Sequence, residues 1–252
     1  MQKNEPQNNE SSNSLTWFQS FNLSVFHVDH TGFANFYSYF NLMQEAATQH
    51  AHSKDFGIET MRNKNKIWVV TRFELHVFDR AKWGENLLIE TWSRGLIGRT
   101  AHRDFLIYKN NEKNEKLLLG KASSVWVPID LTTRQIALIS SKELETVSLK
   151  EKSNEISPRK IEFTENKFKF VVEKSAQNSD IDLNQHVNNA KYVQWIYDAI
   201  AFSETTTLPN QGFAINYISE INRGDRIKIL RNEFQFAGQK ENGKLAFTAE
   251  FF

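Results

Sequence analysis

The chain has 252 residues, 40% of them hydrophobic, and a net charge of +1. That length builds one large core or two modest ones, and so small a charge gives no global field for nucleic acid or an anionic membrane. With no cysteine, disulfides, a thiol nucleophile and thiolate-bound metal are excluded, which fits a reducing compartment such as the cytoplasm.

Residues 1–14, rich in Asn, Gln, Glu and Ser, read as a disordered tail, without the apolar centre of a signal peptide or the Arg-rich, acid-poor character of a transit peptide. No apolar stretch approaches the roughly 20 residues that span a bilayer. Leu23–Phe26 reads as a strand. Phe36, Tyr39, Phe40, Met43 and Ala47 then recur at helical spacing, predicting a helix over Phe36–His50. Strands are expected at Trp68–Phe78, Leu87–Trp92, Arg103–Tyr108 and Leu117–Val127. In the first of these, Phe73, Leu75 and Val77 alternate with Arg72, Glu74 and His76, the period of a half-buried strand. Apolar periodicity then fades into charge around Pro158, so 140–166 reads as a linker between units at 15–139 and 167–252.

After the linker the pattern starts again. A strand at Lys167–Val172 is followed by a helix over Ala190–Phe202, which is apolar almost all round and so should be buried. Strands at Phe213–Ile218, Arg226–Phe236 and Lys244–Phe252 complete the unit. The helix starts of the two halves align without gaps: Val28–Asn35 lies over Ile181–Asn188, pairing Asp29 with Asp182 and Tyr39 with Tyr192. A strand, a long buried helix and several antiparallel strands, given twice, predict an α+β fold in which a sheet wraps a helix and the unit is duplicated. The repeat is asymmetric, with Thr31 and Phe33 standing where the second half has Asn184 and His186.

That second half carries the candidate chemistry. Asp182, Asn184 and His186 occupy alternate positions just before the helix. On an extended segment they project to one side, and the helix start offers free N–H groups to a developing oxyanion. Asn188 and Asn189 read as N-cap residues rather than catalysts, and Asp180 as a turn residue. A metal reading is disfavoured, with one His, no Cys and no helical His pair in the motif. His27, His30, His50 and His52 receive no role. Twenty Phe and six Trp provide aromatic surface either to fill a core or to line a pocket.

Three stretches together resemble the acyl-ACP thioesterase family: N-K-I-W-V-V-T-R-F-E-L-H-V-F-D-R-A-K-W-G-E from Asn65 to Glu85, A-S-S-V-W-V-P-I-D-L-T-T-R from Ala122 to Arg134, and D-L-N-Q-H-V-N-N-A-K-Y-V-Q-W from Asp182 to Trp195. The resemblance implies a tandem hot-dog fold and hydrolysis of fatty acyl chains from acyl carrier protein, without cofactor or metal. It places the catalytic residues at Asp182, Asn184 and His186 and adds Glu220, from the stretch N-Y-I-S-E-I. Ile221 stands where plant members often carry a Cys, so the chemistry must be water-based, with Glu220 or His186 as general base. Some first-half aromatics among Phe36, Tyr39, Phe40, Trp68 and Phe73 would line an acyl tunnel.

The implied partner is an acyl carrier protein, with neither nucleic acid nor membrane, and the protein is expected as a monomer or homodimer. Arg94, Arg99, Arg103, Lys109 and Lys121 form a cluster from which an acidic carrier's docking rim could be drawn, though none is singled out. An acyl-CoA thioesterase, an acyl-thioester hydratase and a non-catalytic acyl-binding module are the alternatives.

Overall fold

The computed structural model describes residues 14–110, 115–201, 204 and 208–252; most of the expected tail, and Phe202, lie outside them. Ten strands form one sheet, every neighbouring pair antiparallel. They are β1 (Thr16–Asn22), β2 (Lys66–Val77), β3 (Asn86–Ile97), β4 (Thr100–Asn110), β5 (Lys116–Asp130), β6 (Lys169–Ser175), β7 (Gly212–Tyr217), β8 (Arg226–Asn232), β9 (Gln235–Lys240) and β10 (Leu245–Phe251). Their order is β1-β3-β4-β5-β2-β7-β10-β9-β8-β6, so the two halves meet at one seam, where Phe73 of β2 lies opposite Ile215 of β7.

Two central helices, α1 (Phe36–Ser53) and α4 (Asn189–Asp198), lie against each other and share one apolar core. Each starts where an Asn caps an exposed amide: Asn35 Oδ1 accepts from Ser38 N–H at 2.8 Å, and Asn188 Oδ1 from Ala190 N–H at 2.9 Å. Shorter helices α2 (Ile58–Asn63) and α3 (Ser141–Glu145) lie between these two in sequence. Across the seam the core is aromatic. Phe40 packs on Phe73 at 4.6 Å between ring centroids, Phe36 on Phe213 at 5.9 Å, and Phe213 on Phe251 at 4.7 Å.

The segment between β5 and β6 is strapped across the sheet's outer face. Asn154 donates to Asp104 of β4 and to the Ala122 carbonyl of β5, Arg159 to Glu74 of β2, and Ile161 to Asn216 of β7; its carbonyl accepts from Thr248 of β10. These are five consecutive strands spanning the seam. The strap explains why Asp104, Glu74, Asn216 and Thr248 are buried on that face: each has a partner in it, which removes the cost of an unmade bond.

Three expected elements differ. The first strand is Thr16–Asn22, where Trp17, Gln19 and Phe21 alternate with Phe18 and Ser20; Leu23 is buried but belongs to a loop, and Val25–His27 is a 3-10 turn with Phe26 exposed. The second helix ends at Asp198, although Ala199 and Ile200 stay buried beyond it and so prolong the apolar pattern. The run Arg226–Phe236 is two strands, because Glu233 turns at φ 52° and pairs Asn232 with Gln235.

Candidate active site

The loop before α4 is a tight turn, not the extended segment that alternation suggested. Asp182 Oδ1 accepts the Asn184 N–H at 2.7 Å, and the Asp182 N–H reaches the His186 carbonyl at 2.9 Å. Gln185 closes the turn with φ 67°, a left-handed conformation that costs a non-glycine residue on the order of 1 kcal/mol. Asp182, Asn184 and His186 are thus gathered by an Asx-type turn. Val187 N–H then bonds to the Ile221 carbonyl at 2.9 Å, and His186 bridges to Asn222. That pairing carries the loop to the segment after β7, where Glu220 lies.

His186 Nε2 lies 3.2 Å from Glu220 Oε2. The same carboxylate oxygen is held by Arg134, from the turn after β5, and Arg62 of α2 donates to the Leu183 carbonyl and, at 3.2 Å, to Asn184 Oδ1. Two arginines of the first half therefore position the polar groups of the second. Burial raises the Asp182 carboxyl above its usual range, against the opposing pull of the Asn184 and His186 N–H groups and the charges of His186 and Arg62. At the helix start the Asn188 N–H is taken by the Asp180 carbonyl at 2.8 Å, so Asn189 supplies the first N–H aimed away from the helix. Among the described residues, no group of three His, Asp or Glu side chains is set to hold a metal ion.

A cavity of about 290 Å³ begins at Asp182, Asn184 and Asn189 and runs under the C-terminal half of α1. Met61, Ile67, Trp68 and Trp126 wall it. Of the aromatics considered for such a tunnel, only Trp68 lines it. Phe36, Tyr39, Phe40 and Phe73 are buried in the core, three of them in the seam stack. His50, which received no role from sequence, and Arg103, grouped with surface cations, both line the cavity. Of the other grouped cations, Lys109 pairs with Asp79 and Glu85, Arg94 lies 3.8 Å from Asp104, and Lys121 bonds the Asn154 carbonyl. An inward Arg103 was legible in one respect: it keeps step with Ala101, Phe105 and Ile107 along β4, all buried.

The first half builds the same loop around different chemistry. The bridges Val28–Ala34 and Phe33–Lys82 repeat Ile181–Val187 and His186–Asn222, and Gly32 sits at φ 79° where Gln185 sits. Ala34 N–H bonds to Ala81 as Val187 does to Ile221, so the residue matching Glu220 is Arg80. Its guanidinium lies 2.6 Å from Asp29 and donates to the Ala34 carbonyl at 2.9 Å, with Phe33 in place of His186. That loop is closed by an ion pair, with Phe33 rather than an imidazole at the position of His186.

A continuous antiparallel sheet around two adjacent helices, with one loop of this kind at each helix start, defines a double hot-dog protein. The chain belongs to the acyl-ACP thioesterase family, whose N-terminal domain matches residues 14–146 and whose C-terminal domain matches residues 163–250. It is 29% identical over 209 residues to oleoyl-acyl carrier protein thioesterase 1 of Arabidopsis thaliana, covering 75% of this chain and 56% of that protein. With the palmitoyl-acyl carrier protein thioesterase of Cuphea hookeriana it shares 30% identity over 237 residues, 86% of this chain and 54% of that one. The chain thus spans about half the length of the curated relatives it matches. The crystal structure of an acyl-ACP thioesterase from Bacteroides thetaiotaomicron superposes with a TM-score of 0.82 at 26% identity, covering 96% of this chain and 98% of that one. The 12:0-ACP thioesterase of Umbellularia californica shares the fold, with a TM-score of 0.76 at 24% identity over 94% and 96% of the two chains.

Proposed function

We propose that the protein hydrolyses the thioester between a fatty acyl chain and acyl carrier protein and releases the free fatty acid. The observation that carries this reading is the His186–Glu220 pair, 3.2 Å apart, on the loop system that opens the cavity under α1. A carboxylate touching an imidazole, on a loop whose Asp182 and Asn184 border a largely apolar cavity, is suited to activating water against an acyl thioester. Glu220 or His186 takes the water's proton. Asn184, its Oδ1 held by Arg62, turns its amide N–H groups to the water or the carbonyl. The Asn189 N–H, at the positive end of α4, faces the developing oxyanion. Asp182 holds the turn together and so positions Asn184 and His186. The acyl chain lies in the cavity of the first half, out of water. The chain has no cysteine, so no thiol can serve as nucleophile. An acyl carrier protein is the partner and the cytoplasm the compartment of this reading, and the protein acts as a monomer or homodimer.

Free fatty acid released from acyl-carrier protein and from acyl-CoA tests the assignment. Wild type is expected to release acid from the carrier-bound substrate, with Glu220→Gln slower by at least roughly a hundredfold. Turnover of that variant near the wild-type rate removes Glu220 from the role of base. Release from neither thioester refutes the assignment.

A further inference from the structure

The cavity changes character along its length. Beside the loop its walls are polar, and through β2 and β5 they are apolar, with Ile67, Trp68 and Trp126. β4 lies two strands beyond β2 in the sheet, roughly 10 Å further from the seam. There the inner face carries Arg103, two residues from Phe105, which is fully buried on the same face.

Arg103 Nη1 donates to His50 Nδ1 at 3.0 Å and to Thr91 Oγ1 at 3.2 Å. No carboxylate among the described residues pairs with this guanidinium, and burial pulls its pKa down to about 10. Three of its five N–H donors, on Nε and Nη2, stay beyond those two bonds. His50, 1% exposed, must accept at Nδ1 because an arginine only donates, so its proton sits on Nε2. That Nε2–H is buried and has no partner. A network that served packing alone would close on itself. This one leaves the buried His50 Nε2–H without a partner, directly behind an arginine on the wall of a cavity.

We propose that the inner end of the cavity binds an oxygen acceptor carried by the acyl chain, a ketone carbonyl or a second carboxylate, so that oxygenated chains are selected over plain hydrocarbon ones. A carbonyl matches the N–H groups of Arg103 left beyond its two bonds, and a carboxylate in addition answers its charge. The apolar stretch between loop and Arg103 takes the intervening methylenes. The proposal rests on the hydrolase reading for the identity of the ligand as an acyl chain, but its geometry belongs to the cavity.

Equilibrium binding of free acids, read by calorimetry, tests it without requiring turnover. The probes are a saturated fatty acid, a series of the same length with a keto group moved along the chain, and a series of ω-carboxy acids of graded length. Wild type is expected to bind the best oxygenated acid at least roughly tenfold tighter than the plain one. In Arg103→Met that ratio falls to about twofold or less, with plain-acid affinity kept or improved. His50→Phe, which removes the Nε2 donor, serves as a second variant and is expected to lower the ratio roughly threefold. The ketone and carboxylate series separate the neutral from the anionic acceptor. Plain acid binding as tightly as every oxygenated one overturns the proposal, as does a preference that survives in both variants. Acid release from the corresponding carrier thioesters is measured in parallel: binding preference without release sustains this subsite while the hydrolase assignment fails.

Discussion

Replacing His50 by Gln probes the electrostatics of the cavity wall. Burial, then the positive charges of Arg103 and Lys54, pull this imidazole's pKa from the ordinary 6.5 down to about 3. It is therefore neutral in the folded chain over the range in which a histidine of the unfolded chain becomes charged. The resulting stability is fully present above pH 6.5 and is lost as pH falls through that value toward 3. At about 1.36 kcal/mol per pH unit, the wild-type protein forfeits roughly 2 kcal/mol at about pH 5 on account of this group. Glutamine keeps an acceptor for Arg103 and does not titrate there. The stability of His50→Gln should accordingly fall less between about pH 7.5 and about pH 5, by roughly 2 kcal/mol. Urea unfolding followed by tryptophan fluorescence at the two pH values measures it, and the difference between proteins cancels groups common to both. Parallel pH dependences refute the reasoning, as does an imidazole resonance of His50 that titrates near 6.5 in the native protein.

Asp182→Asn should stabilise the fold at neutral pH while slowing turnover, because burial raises the carboxyl above its ordinary range and its ionisation opposes folding. The stability gain should vanish on acidification, where the wild-type carboxyl is itself protonated; thermal unfolding across pH reads both limbs. Arg134→Gln should change stability by less than about 1 kcal/mol, since the pair with Glu220 is partly exposed. Loss of that positioning should still lower kcat roughly fivefold, about 1 kcal/mol of barrier, with KM little changed; steady-state kinetics separates the two. Gln185→Gly relieves the left-handed turn and should raise stability by about 0.5–1 kcal/mol in chemical denaturation.

Elements with strong periodicity were legible, and so was their duplication. The Phe36–Ala47 stripe gave α1, and the Phe73–Val77 alternation gave β2, because burial of one face fixes the residue pattern. What escaped was decided by tertiary contact. Glu233 turns the chain without the glycine that announces a hairpin. Arg62, on a helix of six residues, reaches the loop of Asn184 from 122 positions away. Motif resemblance drew attention to Glu220, but nothing in the sequence told that Arg134 would hold it. His50 and Arg103 escaped for a different reason. A histidine near a helix end and a strand arginine are ordinary surface residues until neighbours remove the water from them.

Fusion of the two halves in one chain has a consequence for divergence. In a pair of identical subunits every substitution is made twice, so a change that enlarges room for a hydrocarbon tail also disturbs the reacting groups across the axis. Here Arg80 stands where the second half has Glu220 and is tied to Asp29, so the two sides already differ. The wall around α1 is free to be reshaped for new cargo while the loop before α4 stays as it is.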